Sequence, residues 1–487
     1  MMTVGIRFLW AVFLAVILSV SFRRSWKIEH GKTEKLIGDT EQAYVWISPL
    51  MFPFMILVFF TMEIAGEEGA SNFMGMALDI FISTSAYFIA LLIFLPLLRK
   101  LISARACATL WLMPVFLFFQ PTMLLENAYL PLQVLYIPEI VLRLFIYIWL
   151  AGFVILFAGE IISGMLFQRK LLKGARPIEE ERILQLWEQE KKALRYKRPV
   201  RLLCSPELTT PLSMGIFKKT QATLLPDRYY TMDELRLIFR HELHHIQRRD
   251  VDTKIFLSFC RAMCWFNPLV WIAIRRASDD LELSCDEIVL ENSGDSERRQ
   301  YAELLLRTAG NSRGFTTCLS AAASSLRYRL KSVVQPHARR TGIALLAAMM
   351  LVCCMSYGSV SIVSDRGTVG SLVLSNIAAE DVSALYYYDD PNTDDSDDGY
   401  TLTSCSEELM AYLESLKADK LLNRSLSSFY DDAPTLSLEV ETEQGERDIS
   451  FNGRCLSVED EDTGQMEYYL ISPEMNAAYV KSFFDAD

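Results

Sequence analysis

Arg240-His241-Glu242-Leu243-His244-His245 is the stretch around which the rest of the chain has to be folded. Residues four apart share a face of an α-helix, so His241 and His245 can present two imidazoles to one metal ion while Glu242 stands beside them. The chain has five histidines and three of them fall in this stretch, which makes chance composition a poor explanation. Zinc in hydrolytic sites takes three protein ligands and keeps a fourth position open to water, whose proton a neighbouring carboxylate can accept. His244 points to another side of the helix, which suits a surface or supporting position rather than ligation.

A third ligand is expected downstream, in Asp279-Asp280-Leu281-Glu282-Leu283-Ser284-Cys285-Asp286-Glu287. Helical spacing puts Glu282 and Asp286 on one face, so one can bind metal while the other orients an imidazole through its ring N–H. Spacing alone leaves the choice among these acids open, and an acidic solvated face has the same pattern. The motif is flanked by Asp233, Glu234, Arg236, Arg240, Arg248, Arg249 and Asp250, too many charges for a buried spanning helix, so its chemistry is expected in water or at a membrane interface. Between the two halves of the site runs the apolar stretch Ile255–Ile274, interrupted by Arg261, Asn267 and Pro268. A single membrane crossing there would strand Glu282 opposite His241 and His245. A buried connector, or a hairpin broken at Asn267-Pro268, keeps them together.

Apolar runs surround this stretch. Of 487 residues, 51% are hydrophobic, enough for several membrane spans and two modest water-facing domains. Ile6–Phe22, followed by Arg23, Arg24 and Lys27, reads as an uncleaved anchor. Tyr44–Met62 and Ile80–Leu98 are long enough to span. Ala106–Phe119, with Pro114, and Leu144–Phe167, with Glu160, are weaker runs. The basic segments Arg99–Arg105 and Gln168–Arg176 should both face the cytoplasm, and the acidic segment Leu124–Glu139 suits an external loop, which favours about five helices in residues 1–168 rather than three. Residues 169–340 then form a cytoplasmic domain. In it Pro177 with Glu179, Glu180 and Glu181 reads as a helix start, Val200–Cys204 and Ala222–Leu225 as strands, and Met232 onward as a helix. Thr341–Val363 carries the chain outward.

Residues 364–487 are the external part. Residues 361–487 hold 7 Lys/Arg against 28 Asp/Glu, so nucleic acid is not an expected partner. Alternation at Leu436–Glu441 and Asp448–Phe451, an Asn452-Gly453 turn, and further runs at Arg454–Val458 and Glu467–Ile471 predict an antiparallel meander, with helices near 406–417 and 474–484. Cys405 and Cys455 could pair there, and the loop Asp389–Asp398 only partly follows a calcium-loop pattern, with Cys405 at its twelfth position. Cys353 and Cys354 read as small buried hydrophobes.

The stretch Cys204–Leu290 resembles the membrane zinc peptidases of the β-lactam-sensing antirepressor (BlaR/MecR-like) type. The likeness rests on Ser205-Pro206 with Pro211 and Gly215, Leu224-Leu225-Pro226, His241-Glu242-Leu243-His244-His245 with Arg249-Asp250, Trp265-Phe266-Asn267-Pro268-Leu269, and Glu282-Leu283-Ser284-Cys285-Asp286-Glu287. It implies His241, His245 and Glu282 as zinc ligands, Glu242 as catalytic acid/base, and Asp286 as a supporting residue. The Thr210–Gly215 segment would offer backbone pairing to an extended substrate. The implied fold class is mostly α: multi-pass transmembrane helices, an inserted cytoplasmic gluzincin-like α+β zinc-peptidase domain, and a C-terminal external α+β domain. The best-known members carry a penicillin-binding domain, but residues 364–487 contain no Ser-x-x-Lys and no Lys-Thr-Gly, so β-lactam acylation is not expected. The resemblance still implies an external ligand or protein acting through the bilayer on cleavage of a cytoplasmic protein, typically a transcriptional repressor, and a homodimer is compatible with it. The rival reading is a non-catalytic receptor with a structural zinc site. A base beside complete ligands favours the enzyme.

Overall fold

The computed structural model describes residues 2–30, 51, 53–55, 57, 58, 69–114, 133–215, 219–309, 318–334, 340–356, 360–389, 400–422, 433–442, 445–460 and 465–484. Most of the expected span Tyr44–Met62, the loop from residue 124 to 132, and the acidic loop from residue 390 onward lie outside these residues.

Helices α1 (Met2–Glu29), α2 (Gly69–Leu101) and α4 (Glu139–Lys173) contain apolar stretches long enough to cross a bilayer, and among the described residues these are three in number. The run expected at Ala106–Phe119 makes only a seven-residue helix, α3 (Ala104–Leu110), followed by a turn; residues 115–119 lie outside the described set. A short strand, β1 (Gln133–Tyr136), precedes α4.

After α4 comes β2 (Arg176–Pro177), so Pro177 belongs to a strand, and the helix expected from it starts at Glu181 (α5, Glu181–Ala193). Strands β3 (Arg201–Ser205), β4 (Leu212–Met214) and β5 (Ala222–Pro226) complete a four-stranded sheet in the order β2-β3-β5-β4, which leaves β4 on an edge. Helix α6 (Met232–Arg248) packs on α5 with Trp187 and Phe239 edge to face, centroids 4.9 Å apart. Each such buried side chain contributes about 1.5–3 kcal/mol.

The apolar connector is a helical hairpin. α7 (Asp250–Met263) leads to the Asn267-Pro268 break, where the Asn267 side chain accepts the Leu269 amide at 3.0 Å and Pro268 starts α8 (Pro268–Val289). Its tip is sewn to α4: the Trp149 indole donates to the Met263 carbonyl at 2.8 Å and the Trp265 indole to the Trp149 carbonyl at 3.2 Å. Gly152 makes that approach possible, because a Cβ there would lie 2.4 Å from the Trp265 ring. Glu160, the charge inside the apolar helix α4, pairs with Arg261 of α7, which balances it. At the base of the hairpin, Asp280 takes Arg99 and the Trp111 indole, each at 2.8 Å. Two helices, α9 (Asp295–Ala309) and α10 (Cys318–Val334), close the domain.

The last apolar helix, α11 (Ile343–Ser356), is shorter than the run Thr341–Val363 suggested, because Val360–Val363 are already strand: β6 spans Val360–Thr368. β-Branched apolar residues serve either state, and here the sheet claims them. Among the described residues the sheet has nine strands in the order β1-β6-β9-β13-β12-β11-β10-β7-β8, where β7 is Val382–Tyr388, β8 Tyr400–Leu402, β9 Lys417–Leu421, β10 Thr435–Thr442, β11 Gly445–Asn452, β12 Cys455–Asp460 and β13 Gln465–Ser472. The meander β10 to β13 and helices α13 (Glu407–Ser415) and α14 (Ala477–Phe484) follow the expected pattern, while a short helix, α12 (Val369–Leu372), was not foreseen. Nor was the parallel pairing of β1 with β6, Gln133 opposite Val360 and Tyr136 opposite Val363. No disulfide joins Cys405 to Cys455, and Cys353 and Cys354 are buried.

Candidate metal centre

Thr231 starts α6 with a reciprocal cap: its hydroxyl accepts the Glu234 amide at 3.3 Å and the Glu234 carboxylate accepts the Thr231 amide at 2.8 Å. The apolar face of Leu235, Ile238, Phe239, Leu243 and Ile246 is buried, which fixes the helix rotation and aims His241 and His245 at α8. α8 returns from the hairpin and delivers Glu282 to the same point. His241 Nε2 and His245 Nε2 are 3.1 Å apart, and Glu282 Oε2 is 3.4 Å from the first and 3.6 Å from the second. Ligands roughly 2.0–2.1 Å from a tetrahedral zinc ion are separated by about 3.4 Å, so this triangle has the dimensions of one zinc face. The residues fit the ion.

The other ring nitrogens are held from behind. His245 Nδ1 donates to Asp250 Oδ2 at 2.7 Å. Asp250 is placed by a backbone break: Arg249 is left-handed at φ 55°, ending α6, and α7 restarts with Asp250 turned back toward the histidine. The Tyr301 hydroxyl lies 3.0 Å from His241 Nδ1 and donates to Asp286 at 2.6 Å, and Asp286 is clamped by Arg329 with two contacts of 2.7 Å. Both Nε2 atoms are thereby turned inward.

Charges of both signs meet at the triangle, where Lys254 and Arg329 lie 3.4 and 3.5 Å from Glu282. Burial would raise the Glu282 carboxyl, but His245 and Lys254 hold it well below the usual carboxylate range. Burial would lower His245, yet Cys285, Glu282 and the Asp250 hydrogen bond push it well above its ordinary value. A metal ion bound there would have to displace that proton. Asp250, despite burial, is brought down to about 2 by Arg248 and His245. His244 is not on the surface; burial and the adjacent positive groups push it down to about 3, a neutral ring outside the triangle.

Glu242 is buried beside the triangle and lines a cleft of about 300 Å³, whose opposite wall is Thr210–Gly215, the edge strand β4 and its flanks. Ser213 donates to the Glu242 carbonyl at 3.3 Å, which ties that wall to α6. Gly215 has φ +110° and no room for a Cβ against the backbone of Thr220 and Gln221, so the wall turns away at glycine. Sequence reading picked out His241, Glu242, His245, Glu282 and Asp286, and the structure brings all five together. It did not assign roles to Asp250, Tyr301, Arg329 or Lys254. Asp250 alone carried a local signal, a carboxylate just after the motif helix.

Residues 126–333 match the family model described as BlaR1 peptidase M56. The chain is similar to the regulatory protein BlaR1 of Bacillus licheniformis, 25% identical over 252 residues that cover 50% of this chain and 42% of the relative. It is also similar to the methicillin resistance mecR1 protein of Staphylococcus aureus, 29% identical over 115 residues covering 23% of this chain and 19% of that one. The regulatory protein BlaR1 of Staphylococcus aureus is 26% identical over 174 residues, 34% of this chain and 28% of the relative. The matched segments thus cover less than half of each relative's length.

Proposed function

We propose that this chain, a member of the BlaR/MecR-like family of membrane metallopeptidases, is a zinc-dependent endopeptidase that converts an external event into cleavage of a cytoplasmic protein. The observation that carries the reading is the His241, His245 and Glu282 triangle beside Glu242 at the floor of an open cleft. Zinc, when bound, supplies a Lewis acid and makes water far more acidic. His241, His245 and Glu282 hold it. Glu242 accepts the water proton and returns it to the departing amine, which requires a carboxylate within reach of both. Asp250 and Asp286, the latter with Tyr301, keep the imidazole tautomers fixed. The outer edge of β4, unpaired with any strand among the described residues, offers backbone partners to an extended peptide and aligns its scissile bond with Glu242.

The membrane arrangement supports a division of sides. Arg99, in the last turn of α2, and Ala104, just beyond that helix, contact Asp280 and Glu287, so the basic segment Arg99–Arg105 and the site share a face, for which the positive-inside rule favours the cytoplasm. β1 pairs with β6, so the segment before α4 and the nine-stranded sheet share the other. By analogy with the regulatory relatives, the substrate is a cytoplasmic protein such as a transcriptional repressor.

The test is hydrolysis of extended peptides by the purified full chain. Cleavage that stops with a zinc chelator, returns with zinc and is absent in Glu242→Gln supports the reading. A chain that holds zinc tightly and cleaves nothing, in the presence or absence of its external partner, favours a receptor with a structural zinc site.

A further inference from the structure

Behind His245, four charged side chains from four elements close on one another, with Asp250 also reaching the cleft. Glu29 ends α1, Arg105 belongs to α3, Arg248 ends α6 and Asp250 starts α7. The side chains of Glu29, Arg248 and Asp250 are 2%, 0% and 3% exposed. Arg105 reaches Glu29 at 2.8 Å. Arg248 Nε lies 3.9 Å from the same Glu29 oxygen and 3.4 Å from Asp250 Oδ1, while the other Asp250 oxygen takes the His245 N–H at 2.7 Å. Arg248 also donates to Ser284 at 2.6 Å and to the Cys285 sulfur at 3.1 Å, two and three residues beyond Glu282. Two positive and two negative charges meet there; Glu29 and Arg105 also line a cavity of about 200 Å³, while Arg248 and Asp250 are enclosed.

We propose that Glu29 is a positioning residue for the metal centre: it holds Arg248 so that Asp250 keeps one oxygen on His245, tying the C-terminal end of membrane helix α1 to the ligand triangle. The inference rests on the zinc reading above and adds a route by which the membrane region regulates that site. Without the Glu29 charge, two guanidinium groups face Asp250, which is drawn toward them, and its bond to His245 loosens. α1 is in turn fastened to α11, where Arg7 Nε donates to the Cys354 carbonyl at 3.1 Å, and α11 leads into the nine-stranded sheet at β6. A shift of that sheet against the membrane thus has a packed path to Glu29.

The test is zinc affinity by chelator competition in the detergent-solubilised full chain, for wild type, Glu29→Gln, Asp250→Asn and the double variant. Loss of a partner behind a ligating histidine weakens metal binding roughly 10- to 100-fold. Glu29→Gln is expected to weaken zinc about tenfold, and the double variant to bind no more weakly than Asp250→Asn alone. A merely structural Glu29 would lower thermal stability with zinc affinity unchanged, or would add its full loss on top of Asp250→Asn; either result overturns the proposal. If Glu29→Gln does not fold, Glu29→Asp, which keeps the charge at shorter reach, runs the same cycle with a smaller loss that again vanishes without Asp250. A wild type that binds no zinc overturns the zinc reading and this inference with it, whereas equal binding by wild type and Glu29 variants overturns the α1 link alone.

Discussion

His245 donates its Nδ1 proton to Asp250 at 2.7 Å, and the single left-handed residue Arg249 turns the chain so that the two meet. The geometry leaves Nε2 of His245 with one direction to face, toward Glu282. Asp250→Ala should therefore weaken zinc roughly 10- to 100-fold while the helix content stays at the wild-type level. Competition with a chromophoric chelator measures it, and unchanged affinity would mean that His245 is oriented by packing instead.

Two acceptors serve His241, and they are unequal. Tyr301→Phe removes a hydroxyl 3.0 Å from Nδ1 but leaves Asp286 3.4 Å away, close enough to take over after a small shift. Asp286→Ala removes the anion and strands Arg329. The expected loss of zinc affinity is only a few-fold for the tyrosine and at least tenfold for the aspartate. Equal losses would show that the hydroxyl itself is the partner that matters.

Gly152 and Trp265 test the hairpin's seat in the membrane region. A methyl group at residue 152 meets the indole at 2.4 Å, and the ring is held by its bond to the Trp149 carbonyl, so it cannot simply swing away. Gly152→Ala should cost about 1–3 kcal/mol of stability, read as a lower thermal midpoint in detergent. Trp265→Phe in the same chain, with a smaller ring, should recover part of it.

How far the sequence reveals this arrangement follows from the range of each interaction. His241, Glu242 and His245 are legible because a helix period alone brings them together, and the Asn267-Pro268 break is legible because its chemistry is local. Glu282 was one of several acids, and only its resemblance to a known pattern singled it out. Tyr301 and Arg329 come from helices without any motif, and only the packing of α9 and α10 brings them behind His241. The β1–β6 pair joins residues more than two hundred positions apart, which no local pattern signals. The same pairing explains why Val360–Val363 read as the end of a helix and fold as a strand.

The nine-stranded sheet has its own acid dependence. Burial would raise Glu467, but hydrogen bonds from Lys420 at 2.6 Å and from the Tyr469 hydroxyl at 2.6 Å hold its carboxyl below the usual range. A depressed carboxylate contributes stability above its unfolded value, about 4.3, and loses it as pH falls through the folded value. Lys420→Met should therefore melt lower than wild type at neutral pH, by a small amount because the pair is partly exposed, and the gap should close as pH falls through the lowered folded value. Thermal melts at neutral and acid pH check the sign; a gap that widens in acid would contradict it.

The most direct test of the account is the zinc content of purified full-length protein, measured for wild type, Glu242→Ala and Glu282→Ala. The account predicts about one zinc per chain in wild type and in Glu242→Ala, with hydrolysis lost in the latter, and loss of the metal in Glu282→Ala. A metal-free wild type, or full retention by Glu282→Ala, would contradict it.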